Sequence, residues 1–190
     1  MWDIVLRLVI QVNRDFFSFF GIEPQLALDA VFLQKRFYEL SRQWHPDRHA
    51  SRSAAERQLA LENTALLNDA FRTLKQPVER AGYVLSQHGL ATDEAASKKV
   101  PPELLEEVFE MNMALDELKG GDATVRPQLE SARTAFTENL SGIDRQLNAE
   151  FIRWDAAHSA ETLGQVRALL NRRKYIHNLV RTVNQALEAA

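Results

Sequence analysis

One proline constrains this chain more than any other residue. Pro46 fixes its own φ and has no amide hydrogen, so an α-helix cannot run through it. It stands between two long amphipathic runs. On its N-terminal side Leu33, Phe37, Leu40 and Trp44 recur at +4, +3 and +4, the mark of one buried helical face, and Asp29 is placed to cap the start. On its C-terminal side a polar stretch, 49–53, leads into a helical run over 54–75. There Ala55, Leu59, Glu62, Leu66, Ala70 and Leu74 form a mostly apolar stripe, with Phe71 beside it. The expected local fold is a helical hairpin whose bend carries His45-Pro46-Asp47.

The rest of the chain is also written as helix. Ala, Leu, Glu, Arg and Gln are common, while the whole sequence holds only 7 Gly and 6 Pro. That balance favours helix and gives no strand signal. Asp15 is a good N-cap for a short aromatic helix ending near Gly21, Glu23-Pro24 restarts the chain, and Pro77 opens a short helix ending at Gly89. Residues 91–102, ATDEAASKKVPP, read as a linker.

Beyond the linker three helical runs follow. The first covers 103–119 and is stopped by Gly120-Gly121. The second starts near Pro127, with Leu129, Ala132, Phe136, Leu140, Ile143, Leu147, Phe151 and Trp154 spaced three or four apart. The third runs from about 160 to the end, with Leu163, Val166, Leu170, Arg173, His177, Val180 and Leu187 on its stripe. Long helices with short connections predict an antiparallel three-helix bundle. The expected organisation is all-α: an N-terminal extension (1–14), a first domain (15–90), the linker (91–102) and a bundle domain (103–190).

Composition excludes several function classes. There are no cysteines, so disulfides and thiolate metal sites are ruled out. A net charge of −3 argues against nucleic acid as a partner. His45 and His49 are four apart, but Pro46 breaks the helix that would align them and no third ligand is evident, so no metal or other cofactor is expected. No nucleophile motif accompanies them, and an enzymatic role is not expected. The opening MWDIVLRLVIQVN is apolar but short, interrupted by Asp3 and Arg7, against the roughly 20 apolar residues of a spanning helix. It admits three readings: an extra helical turn, a membrane-surface contact or an early start codon. We favour the first or the third, and expect a cytoplasmic protein without a membrane partner.

Two surfaces stand out. Lys35, Arg36, Arg42 and Arg48 surround the His-Pro-Asp bend, although Glu39 among them leaves open an ordinary solvated face. The run 103–122 carries seven acids and one base, whereas 15–90 carries nine of each. On a helical wheel at about 100° per residue, Leu104, Val108, Met111, Leu115 and Leu118 form one stripe. Leu105, Phe109 and Met113 form a second, about 140° away. A bundle has no obvious use for two. The second, flanked by Glu106, Glu110, Asp116 and Glu117, has the look of a partner-binding strip; packing on a neighbouring element is the alternative.

The stretches DFFSFFGI, LQKRFYELSRQWHPDRH, LLNDAFRTLKQP and ERAGYVLSQHG resemble the J domain of the HscB co-chaperones of iron–sulfur cluster assembly. The second block resembles their C-terminal bundle, and the likeness runs from about residue 15 to the end. The resemblance implies that His45, Pro46 and Asp47, with the bases around them, dock on a DnaK/HscA-class ATPase chaperone and stimulate its ATP hydrolysis. It implies equally that Leu105, Glu106, Phe109, Glu110, Met113 and Glu117, with Tyr175 from the last helix, bind an IscU-type iron–sulfur scaffold. The rival readings are a J-domain protein with another client, a helical adaptor in which His-Pro-Asp is accidental, and a metal-dependent hydrolase built on His45 and His49.

Overall fold

The computed structural model describes residues 15–91 and 99–189. The readings made for 1–14 and for most of the 91–102 linker lie outside the described residues. Every regular element among the described residues is helical, as expected. The chain divides into two compact units, Met1–Val84 and Leu85–Ala190.

In the first unit α1 spans Phe16–Phe20, α2 Ala30–Trp44 and α3 Ala54–Lys75, and α4, Pro77–Gln87, begins there. Asp15 caps α1 by accepting from the Ser18 amide, and Gly21 closes the helix at φ +65°, a conformation that costs glycine nothing. Asp29 caps α2 through the Val31 and Phe32 amides. Ser53 and Glu56 form a reciprocal capping box at the start of α3. These short polar side chains satisfy amide groups that the first helical turn leaves without partners.

The core of this unit is Phe17, Phe20, Leu26, Leu33, Leu40, Ala60, Leu67, Ala70, Leu74, Ala81 and Val84. It corrects the stripe expected for α3. Ala60, Asn63, Leu67, Ala70 and Leu74 are buried, while Ala55 and Leu59 are exposed and Glu62 and Leu66 only half-buried. In the first half of the helix the true face lies about a quarter-turn from the expected one. Arg80 is the buried cation of this core: its guanidinium donates to the Leu26 carbonyl at 2.7 and 3.0 Å and to the Leu74 carbonyl.

The second unit is a three-helix bundle of α5 (Leu105–Lys119), α6 (Arg126–Ala157) and α7 (Ala160–Ala189). The helical run expected from 103 opens instead as a 3₁₀ turn, Pro102–Leu104. Two bonds set the direction of α6 against α7. Arg126 donates to the Leu187 carbonyl at 3.0 Å, and Arg173 pairs with Asp144 at 2.6 Å. One number rises as the other falls, so the pair is antiparallel. The Glu103–Arg172 pair at 3.0 Å puts the start of α5 beside the middle of α7, and the short turn at 120–125 returns the chain into α6. The order is up, down, up.

Most of the α6 stripe is as expected, with Leu129, Phe136, Ile143, Leu147, Phe151 and Trp154 buried, while Ala132 and Leu140 are half-buried. The α7 stripe holds through Leu170, shifts to Ile176, Leu179 and Val183, and returns at Leu187, which is buried as expected. Arg173 and Val180, placed on that stripe by spacing, are half-buried, and His177 is exposed.

Candidate partner-docking surfaces

α2 ends at Trp44, and His45 adopts the extended backbone (ψ 130°) that a following proline imposes. Pro46 then opens a 3₁₀ turn, Pro46–His49, rather than an open loop. His45 caps that turn: its Nδ1 accepts from the Asp47 amide at 3.3 Å. A nitrogen that accepts carries no proton, so in the neutral ring Nε2–H is left as a donor. The Asp47 carboxylate lies 3.6 Å from Nδ1 and is itself almost fully exposed. The bend thus offers an outward pair, one imidazole donor and one carboxylate.

A frame holds this pair in place. The last carbonyls of α2 are orphans of the helix end. Arg48 donates to the Arg42 carbonyl at 3.2 Å, His49 Nε2 bonds that of Gln43 at 3.0 Å, and the Thr64 hydroxyl of α3 reaches that of Trp44 at 3.0 Å. The His49 ring stacks on Trp44, with centroids 6.2 Å apart. Local bonds and one tie to α3 therefore fix the bend against the hairpin.

The four expected docking bases divide. Lys35 and Arg42 are exposed on one face of α2. Arg48 is exposed at the bend while also capping α2. Arg36 is committed inside the unit: it donates to the Phe20 carbonyl at 2.9 and 3.2 Å and pairs with Glu39 at 2.7 Å, tying α1 to α2. The structure adds residues that charge reading passed over. Val31 and Tyr38 are exposed on the Lys35–Arg42 face, and with Gln34, Glu39 and Lys75 of α3 they line an open trough. Their spacing (31, 35, 38, 42) is a helical stripe, and that was the signal available in sequence.

On α5 the two stripes separate as the wheel required. Leu104, Val108, Met111, Leu115 and Leu118 are buried in the bundle. Leu105, Phe109 and Met113 are 56, 65 and 50 % exposed. Glu106, Phe109, Glu110, Met113 and Glu117 line one shallow trough with Gln128 of α6, a residue not expected there. Lys119 pairs with Asp116 at 3.2 Å, so the base of this run does not neutralise the trough glutamates. Tyr175 does not line the trough. It is half-buried, which pushes its phenol pKa up. Three residues past Arg172, it stands level with the first turn of α5, where Leu105 and Glu106 lie.

No group of three or more His, Asp or Glu side chains among the described residues is placed to hold a metal ion. No helix among them is long and apolar enough to cross a membrane.

Comparison with known proteins gives a consistent answer. The profile of the HSCB C-terminal oligomerisation domain matches residues 100–184. Curated relatives described as co-chaperone protein HscB homologues, from two strains of Vibrio vulnificus, are 36 % identical over 135 residues, covering 70 % of this chain and 79 % of theirs. Among solved structures, the chaperone HscB from Vibrio cholerae superposes with a TM-score of 0.64 at 26 % identity, covering 92 % of this chain and 98 % of that one. The human co-chaperone protein HscB shares the fold, with a TM-score of 0.58 at 24 % identity over 95 % of this chain and 85 % of its own.

Proposed function

Because this chain belongs to the HscB co-chaperone family, we propose that it couples a DnaK/HscA-class ATPase chaperone to an IscU-type scaffold during iron–sulfur cluster assembly in the cytoplasm. The first unit stimulates ATP hydrolysis by the chaperone. The bundle delivers the scaffold to it. The protein performs no chemistry itself and needs no cofactor, since the hydrolysis belongs to its partner.

The observation that carries the reading is the pairing of two surfaces on one chain. His45 and Asp47 project from a braced bend at the end of α2, and an apolar strip on α5 is left out of its own core. Lys35, Arg42 and Arg48 give the bend a positive border that would steer an acidic partner and raise the on-rate. The strip offers Leu105, Phe109 and Met113 as anchors and Glu106, Glu110 and Glu117 as a rim for a partner with basic residues around an apolar patch. Tyr175 would extend this surface from α7.

The reading is tested with purified partners. His45→Gln should abolish stimulation of the chaperone ATPase with the fold unchanged. Leu105→Ala with Phe109→Ala should weaken scaffold binding at least tenfold, about 1.4 kcal/mol or more, and leave stimulation in the absence of scaffold intact. Stimulation that survives His45→Gln would defeat the docking role of the bend. Unchanged scaffold affinity in the double variant would defeat that of the strip.

A further inference from the structure

Met113 is the one methionine among the described residues whose side chain is open to solvent. Met111, two positions earlier on the same helix, is 3 % exposed, whereas Met113 is 50 % exposed and lies in the trough with Phe109. Thioether oxidation follows access of the oxidant to sulfur. The bundle core shields Met111, and nothing comparable shields Met113.

We propose that Met113 is a reversible oxidation site that turns the α5 strip off as a binding surface. This rests on the reading of that strip as the scaffold-docking surface. In the step a peroxide oxygen is transferred to the Met113 sulfur. The thioether is oxidised by two electrons to the sulfoxide, the O–O bond breaks, and hydrogen peroxide leaves as water. Return to the thioether needs a thiol-dependent methionine sulfoxide reductase, which removes the oxygen as water and leaves a disulfide.

The chemistry of the trough explains why one oxygen matters. A sulfoxide oxygen is a strong hydrogen-bond acceptor. Its neighbours Glu106, Glu110 and Glu117 are acceptors when ionised and cannot satisfy it. Gln128, also in the trough, and solvent are what remain to donate. A partner seated on the strip would bury that oxygen against Leu105 and Phe109, where an unpaired polar group is costly. The fold itself is spared, because the bundle uses Met111, Leu115 and Leu118 rather than Met113.

The test treats the full chain with hydrogen peroxide and maps the added oxygen, about 16 Da, by peptide mass spectrometry. Met113 should be oxidised well before Met111, with the helical spectrum and thermal midpoint unchanged. Affinity for a purified IscU-type scaffold should then fall about tenfold and return after treatment with the reductases. Met113→Leu, whatever its own starting affinity, should show no change in scaffold affinity on peroxide treatment, and Met113→Gln should bind weakly without peroxide. Oxidation of Met111 in step with Met113 would overturn the proposal, as would equal scaffold affinity of the oxidised and reduced chains. Failure of the untreated chain to bind scaffold would instead overturn the functional reading beneath it.

Discussion

Asp15 accepts from the Ser18 amide at 2.8 Å, the Ser18 hydroxyl at 2.9 Å and the Tyr83 hydroxyl at 2.8 Å, and Tyr83 in turn accepts from the Phe16 amide at 2.9 Å. Partial burial pushes its pKa up, but the bonds from Ser18 and Tyr83 outweigh that and leave the carboxyl below its ordinary value of 3.8. A carboxyl depressed in the folded state stabilises above its unfolded pKa, and that gain is lost as pH falls through the folded value. Asp15→Ala should therefore cost about 1 kcal/mol near neutral pH, measured by urea denaturation. The gap to the parent chain should narrow in acid, as pH falls from the ordinary aspartate value through the lower folded one, because the part due to the ionised carboxylate is lost while a neutral carboxyl still accepts. Arg80 sets a larger stake. Its guanidinium bridges the Leu26 and Leu74 carbonyls in the core, so Arg80→Ala leaves buried acceptors short of donors. We expect a loss of about 3 kcal/mol in the same assay. Asp15 was legible as a cap from its place before FFSFF. Arg80 was not, because a lone arginine in a short helix reads as surface until its carbonyl partners are known.

At the scale of the element, helices were legible where apolar residues recur without competition. α2 begins and ends at the expected residues, and α6 buries most of its expected stripe. In α3 the first half offers two apolar faces. Ala55 and Leu59 mark one, Ala60 and Leu67 the other, and the buried one includes Asn63. Counting apolar residues favours the wrong face, because Ala55, Leu59 and Leu66 outnumber Ala60 and Leu67 even with Glu62 among them, and Asn63 scores against the right one. The difference is measurable. Leu67 is 1 % exposed and Leu59 is 43 % exposed. Leu67→Ala should cost about 2–4 kcal/mol and Leu59→Ala about 1 kcal/mol or less, read from denaturation midpoints. Comparable losses would mean the register assigned to α3 is wrong. The same ambiguity was productive in α5, where the second apolar face is the one left in solvent. Charge places Arg36 among the docking bases, and its two bonds to the Phe20 carbonyl also tie α1 to α2, a second role that charge alone does not show.

At the scale of the molecule, each unit buries a core of its own and presents one of the two proposed surfaces. Carrying both surfaces on one chain then has a thermodynamic consequence. On the proposed function, scaffold held by the bundle would meet a chaperone engaged by the first unit at the effective concentration of two sites on one chain, which reaches the millimolar range. At micromolar protein, that is an advantage of about a thousandfold over untethered halves. A chain carrying a protease site between residues 91 and 99 makes this measurable. Cleaved, separated by gel filtration and recombined at micromolar concentration, the first half should still stimulate the chaperone ATPase, and the second should still bind scaffold. The scaffold-dependent gain in chaperone turnover should vanish and reappear only as fragment concentration rises toward the tethered value. A gain that persists at micromolar after cleavage and separation would show that each surface works alone and that joining them serves another end.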